Sequence, residues 1–268
     1  DITQPTLEPP LGSAAYRIKS FKPGAEIVWE RVDDYWGRDV PVKVGRENFD
    51  TRRYLYFQDD NAQWQAFTKG GYQDVRMENR AQKWATEYKF PAFQAGDVVK
   101  AAYPTESGEP MQGFVLNTRR PQFQDRRVRE ALNWAFDFES MNRTLFYGLY
   151  ARTGSYFEGG ELASSGLPQG KELEILEKFR DKLPPELFTQ EFKLPVYDTP
   201  KAARDNLRRA FDLLKEAGWE VQDGVLKNAQ GGPFVLEYMD SSEGGVRTIF
   251  SWQHNLAKLG IALNFRSV

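Results

Sequence analysis

The residue types behind most enzyme chemistry are scarce in this chain. It has no cysteine and one histidine, His254, so thiol nucleophiles and zinc sites built on Cys or on several His cannot be assembled from it, and a Ser-His-Asp triad would have to use His254. His254 falls mid-helix in Ser251-Trp-Gln-His-Asn255 without a recognisable partner, which reads as a surface or packing position. Carboxylates are plentiful, and a pair acting as acid and base on a glycoside or peptide stays open as a chemistry. The obvious clusters, Asp33-Asp34 and Asp59-Asp60, stand at the ends of elements, where helix capping or turn formation accounts for them. Gly154, Gly159-Gly160 and Gly231-Gly232 lack the Walker spacing with its Lys-Ser/Thr pair, and none follows the Rossmann pattern. No cofactor and no metal are expected.

Aromatic density beside cations is the positive signal. Phe146, Tyr147, Tyr150, Tyr156 and Phe157 crowd one stretch that also holds Arg152, and Arg119-Arg120 stand upstream. Rings, hydroxyls and guanidinium groups together suit a cleft holding an amphiphilic ligand by stacking, hydrogen bonds and charge. The competing reading puts the rings in the core and the arginines in water.

The elements that must position these groups alternate between strand and helix. Ala15–Phe21 and Glu26–Val32 alternate apolar and polar residues around Lys22-Pro-Gly24, a β-hairpin pattern. A third strand is expected over Arg53–Gln58, then a helix from Asn61 to about Lys69, capped by Asp59 or Asp60 and stopped by Gly70-Gly71. Further strands are read at Tyr72–Arg76, Asp97–Tyr103 and Gly113–Asn117, with a helix over about Arg80–Tyr88 between the first two. Val128, Leu132, Ala135 and Phe136 recur at helical spacing after Asp125, and a second helix runs from about Phe138 to Tyr147, ending at Gly148.

Leu149–Gly170 has five glycines and several aromatics and reads as an ordered, functional loop. A charged helix over Gly170–Lys182 and a longer one over Pro200–Ala217 follow. Strands at Trp219–Val221, Gly224–Leu226 and Pro233–Met239, a helix over Val246–Leu259 and a strand at Ile261–Arg266 complete the pattern. This is an α/β chain.

Bulk properties narrow the partners. The 268 residues are 40% hydrophobic and 14% aromatic, enough for a substantial core. Lys plus Arg number 36 against 38 Asp plus Glu, a formal charge of −2 with both signs interspersed, so no nucleic-acid footprint is present. No apolar run approaches the roughly 20 residues of a membrane span, and Asp1–Pro10 is polar, without the apolar core of a signal peptide.

Four segments in order resemble one family. Leu11-Gly-Ser-Ala-Ala-Tyr-Arg-Ile-Lys19 with Val28-Trp-Glu-Arg-Val-Asp-Asp-Tyr-Trp-Gly37 is similar to its "G-x-G-P-Y-x-I … R-x-x-x-Y-W", although Ser13-Ala-Ala15 replaces the usual Gly-Pro. Ala66-Phe-Thr-Lys-Gly-Gly-Tyr-Gln-Asp74 looks like its "F-x-x-G-x-x-D". Phe114-Val-Leu-Asn-Thr-Arg-Arg120 with Phe123-Gln-Asp-Arg-Arg-Val-Arg-Glu-Ala-Leu132 looks like its "F-N-x-x-x-x-P-F-x-D-x-R-V-R-x-A-L", and Ala210-Phe-Asp-Leu-Leu-Lys-Glu-Ala-Gly-Trp219 like its "A-x-x-L-L-x-E-A-G-W". The family is the extracellular solute-binding proteins of family 5, the oligopeptide and dipeptide receptors of ABC importers, and the stretches Asn117–Arg120, Ala135–Glu139, Leu145–Gly148 and Glu161–Pro168 look closest to its YejA-type branch.

The resemblance implies a type II, cluster C periplasmic-binding-protein-like α/β fold, present in part. Residues 1–112 would be the strand-rich part and hinge-side segments of the first lobe, and 113–268 mostly the second, closing lobe, with terminal portions of a longer parent absent. It implies a peptide or peptide-like small molecule as ligand, a membrane permease as partner, a periplasmic location, a monomer, and no catalysis. Arg119 would meet a ligand carboxylate or carbonyl and Asn117 the ligand main chain, with Phe146, Tyr147, Tyr150, Tyr156 and Phe157 as apolar walls; the alternative for Arg119 is an acid of its own lobe. In the family the acid that meets the peptide amino group lies downstream, so this chain alone is expected to bind ligand weakly or not at all. A structural interaction domain without a ligand and a carboxylate-dependent hydrolase are the alternatives from other classes.

Overall fold

A computed structural model describes residues 6–70, 75–103, 108, 111–240 and 243–267. The chain divides into two compact units, one formed by Asp1–Met77 with Lys89–Val99, the other by Glu78–Tyr88 with Lys100–Val268.

In the first unit β1 (Tyr16–Lys22), β2 (Glu26–Arg31) and β3 (Thr51–Leu55) form an antiparallel sheet in chain order. Pro23 fixes one turn residue and Gly24 takes φ 70°, the left-handed position a type II turn requires, so Ala25 N can reach Lys22 O at 3.0 Å. Helix α1 (Asp60–Thr68) begins where Asp59 accepts hydrogen bonds from Asn61 N and Ala62 N. Its buried Trp64 and Phe67 pack edge-on against Phe90, at 5.8 and 5.5 Å between ring centroids.

Helix α2 (Ala81–Thr86) belongs to the second unit, whereas the short α3 (Pro91–Ala95), which sequence reading left out, belongs to the first. Proline in its opening turn and a left-handed Gly96 at its end are the local reasons it forms.

The second unit continues with α4 (Arg126–Trp134), α5 (Phe138–Leu145), α6 (Gly170–Glu177), α7 (Glu186–Thr189) and α8 (Pro200–Glu216). After these come β4 (Glu220–Gln222), β5 (Val225–Lys227), β6 (Val235–Asp240), α9 (Glu243–Lys258) and β7 (Ala262–Ser267). Asp223 and Gly224, both at positive φ, close the β4–β5 hairpin in the primed turn that matches strand twist. Strands β6 and β7 pair in parallel, a connection too long for a tight turn, and α9 makes the crossover.

The core lies where α4, α8, α9 and β6 bring together Val128, Leu132, Ala210, Leu214, Phe234, Leu236, Ile249 and Leu256, all buried. Each such large side chain contributes about 1.5–3 kcal/mol through burial. Polar links tie the layers: Asn255 Nδ2 donates to Ala135 O at 3.0 Å, and Asn206 Nδ2 donates to Val196 O at 2.8 Å.

Two expected strands are absent. Asp97–Tyr103 and Gly113–Asn117 join no ladder among the described residues. The alternation of the second is nonetheless expressed, since Phe114 and Leu116 pack on the core while Val115 is 96% exposed. An alternating pattern sets which side chains face inward on an extended backbone; it does not supply a neighbouring strand. Of the strand expected at Tyr72–Arg76, positions 72–74 lie outside the described residues, and 75–76 are not in a strand. No helix among the described residues is long and apolar enough to cross a membrane.

Candidate functional site

Asn117 and Arg119 stand between the extended run 113–117 and the 3-10 turn Pro121–Phe123 that feeds α4. The Asn117 side chain accepts from Arg119 N at 3.1 Å and its carbonyl accepts from Arg120 N at 3.0 Å, so the residue shapes the turn that presents Arg119. Arg119 is exposed, and its guanidinium makes no hydrogen bond or ion pair among the described residues. Its neighbour Arg120 instead reaches Glu237 at 3.8 Å.

Helix α5 ends at Leu145 with Phe146 as its C-cap, and the chain turns through Tyr147 at φ 56° and Gly148 at φ 74°. Tyr150 returns against Phe146, with ring centroids 4.6 Å apart at 69°. Tyr147 and Tyr150 remain 43% and 48% exposed. Tyr156 and Phe157 project from the following loop, which is held by its own polar groups. Glu158 accepts from Gly154 N at 2.9 Å and Ser155 N at 3.1 Å, while the buried Ser155 hydroxyl accepts from Phe157 N at 3.2 Å and Ser164 N at 3.1 Å. Among the described residues no ring contact joins Tyr156 or Phe157 to Phe146 or Tyr150, and no hydrogen bond or cation–π contact joins the aromatic stretch to Arg119.

Arg152 belongs to a different environment from the rings around it. It donates to Asn133 Oδ1 at 2.6 Å and to Pro195 O at 2.9 Å, and its guanidinium lies 5.3 Å from the Phe136 ring centre. Burial lowers its pKa, with Glu139 and Tyr197 nearby. Tyr197 extends the same knot: its hydroxyl donates to Trp134 O at 2.5 Å, its amide donates to Glu139 Oε2 at 2.8 Å, and burial pushes its phenol pKa up. Arg152 is thus committed to the fold.

The residues that organise this surface, Asn133, Ser155 and Glu158, went unmarked in sequence, because a lone Asn, Ser or Glu carries no pattern until its backbone partners are placed. Concavities of about 280 Å³ beside Trp219, Gln122 and Asn228, and about 190 Å³ beside Phe21, Ile27 and Tyr56, contain none of the expected ligand residues. What Arg119 and the tyrosines offer is a cation and partly solvent-facing rings.

The family model described as "Bacterial extracellular solute-binding proteins, family 5 Middle" matches residues 1–268. A protein of Agrobacterium fabrum named probable peptide-binding protein YejA is 48% identical over 271 residues, covering 100% of this chain and 44% of that protein. The chain therefore spans less than half the length of that relative. Among solved structures, NikA from Brucella suis in complex with Fe(III)-EDTA is 21% identical with a TM-score of 0.62, covering 96% of this chain and 43% of NikA. The oligopeptide-binding protein AppA from Bacillus subtilis, in complex with a nonapeptide, is 20% identical with a TM-score of 0.52, covering 95% of this chain and 42% of AppA. These likenesses show the α/β, periplasmic-binding-protein-like fold that the sequence led us to expect. With a family model matched along its whole length, the chain belongs to the bacterial extracellular solute-binding proteins of family 5.

Proposed function

We propose that this chain forms part of the ligand-holding surface of a peptide receptor that delivers a peptide or peptide-like solute to the membrane permease of an ABC importer. The observation that carries the reading is the full-length family match together with 48% identity to a protein named as peptide-binding. The receptor works in the periplasm as a monomer, by binding and release, without catalysis or a cofactor. Residues 1–112 contribute to the first lobe and 113–268 mostly to the second. Arg119, presented by the Asn117 turn and lacking a partner among the described residues, takes a ligand carboxylate or carbonyl, and Phe146, Tyr147, Tyr150, Tyr156 and Phe157 wall the apolar part.

Thermal denaturation of the intact protein with a panel of short peptides tests this, since a ligand that binds only the folded state raises the midpoint by mass action. A midpoint that rises with peptide concentration is expected. A flat response across the panel counts against the proposal. Calorimetry on this chain alone is expected to show weak binding or none.

A further inference from the structure

We infer that Asn142 is the positioning residue that builds the aromatic turn before any ligand arrives. This rests on the peptide-receptor reading and names the part of the chain that sets its apolar wall. The backbone carbonyl of Asn142 accepts from Phe146 N at 3.1 Å and Gly148 N at 2.9 Å, as a helix-terminal carbonyl of any residue type does. Its side chain does something a helix end does not require. Nδ2 donates to Tyr150 O at 2.7 Å and Oδ1 accepts from Tyr150 N at 3.1 Å, so one amide grips both main-chain groups of Tyr150 as a neighbouring strand would.

The clamp falls on the residue whose ring lies against Phe146. Tyr147, held between them at φ 56°, is left projecting and 43% exposed. Only an amide of this length supplies the donor and the acceptor together; aspartate of the same shape keeps the acceptor and turns an oxygen toward the Tyr150 carbonyl. A wall fixed in advance spares a ligand the cost of ordering it.

Two readouts on Asn142→Ala and Asn142→Asp in the intact protein test the inference. The first is amide hydrogen exchange at Tyr150, which needs no ligand. The second is the Kd of a short peptide that shifts the wild-type midpoint.

Exchange at Tyr150 is expected to quicken about tenfold or more in Asn142→Ala, and by less in Asn142→Asp, which keeps the acceptor for the Tyr150 amide, while the core amides of Leu132 and Leu214 keep their protection. The Kd is expected to weaken about tenfold, with the thermal midpoint lowered by no more than a few degrees, the scale of one or two lost hydrogen bonds. Unchanged protection at Tyr150 in both variants overturns the clamp. Loss of protection at Leu132 and Leu214 in step with Tyr150 also overturns it, because that marks a general structural role. Quickened exchange with an unchanged Kd overturns the positioning role. Quickened exchange in a protein whose wild type binds no peptide supports the clamp and removes the peptide reading.

Discussion

The amide of Leu226 donates to the carbonyl of Gly260 at 2.8 Å, and Leu226 O in turn accepts from Phe234 N at 2.7 Å. One residue of the β4–β5 hairpin therefore joins the turn between α9 and β7 to the start of β6. Gly260 sits at φ 75°, and a Cβ there would lie 2.7 Å from Leu226 N and 3.1 Å from Gly224 O. Gly260→Ala combines left-handed strain with a clash against backbone, and is expected to destabilise by about 2–4 kcal/mol. Urea unfolding checks this: the midpoint should fall without a change in slope.

Arg152 and Arg119 separate structure from ligand recognition. Arg152→Ala strands the Asn133 and Pro195 acceptors and uncovers Phe136, so a loss of about 2 kcal/mol is expected. Arg119→Ala breaks no hydrogen bond or ion pair recorded among the described residues and is expected to stay within about 0.5 kcal/mol of wild type. On the proposed function it weakens peptide affinity all the same. Thermal denaturation of both variants with and without peptide distinguishes the two roles.

Asp137 caps α5 by accepting from Ser140 N at 2.8 Å, yet burial pushes its carboxyl pKa above the ordinary range, outweighing that hydrogen bond. The folded state holds the proton more tightly than the unfolded chain. Its contribution to stability is therefore complete below the unfolded value of about 3.9 and lost as pH rises through the folded one. Asp137→Asn keeps the cap oxygen without the charge. It is expected to be more stable than wild type near neutral pH, with the gap closing in acid; urea midpoints across an acid-to-neutral series give the comparison.

Tyr238 is pushed up to about 12 by burial, aided by its hydrogen bond to Asp240 Oδ2 at 2.5 Å and by that carboxylate's charge. The phenol, neutral in the fold, contributes stability in full below the unfolded value of about 10, and that contribution drains away as pH climbs toward 12. Tyr238→Phe should flatten the alkaline slope of the denaturation midpoint and remove one late step from the phenolate absorbance titration.

Local signals in the sequence translated well where short-range chemistry decides the outcome. Pro23-Gly24 makes the first hairpin, Asp59 and Asp125 cap their helices, and Gly148, Gly218 and Gly260 take positive φ where helices stop. The apolar face of α8 is buried at Ala210, Leu213 and Leu214 as its spacing requires. Partner-dependent features were less legible. The third strand runs from Thr51 to Leu55 rather than Arg53 to Gln58, because its register follows β2, with Ile27 opposite Tyr54. The direction of Arg152 depends on Asn133 and Pro195, residues far off in sequence that no local pattern connects to it. The aromatic stretch was visible as composition, whereas the Asn142 clamp that shapes it was not.

The parallel pairing of β6 with β7 also bears on how the chain reaches this structure. Val235 meets Ala262 only after the whole of α9 has been laid down between them, so the ladder closes a long loop before it gains a single bond. Helix α4 against α8 needs a long closure as well, but each helix forms on local contacts alone. The sheet is expected to be the slower step, leaving β6, with its apolar Leu236 and Phe234 nearby, unpaired while it forms. Until β7 arrives, that exposed strand is the segment through which an unfinished chain would stick to another.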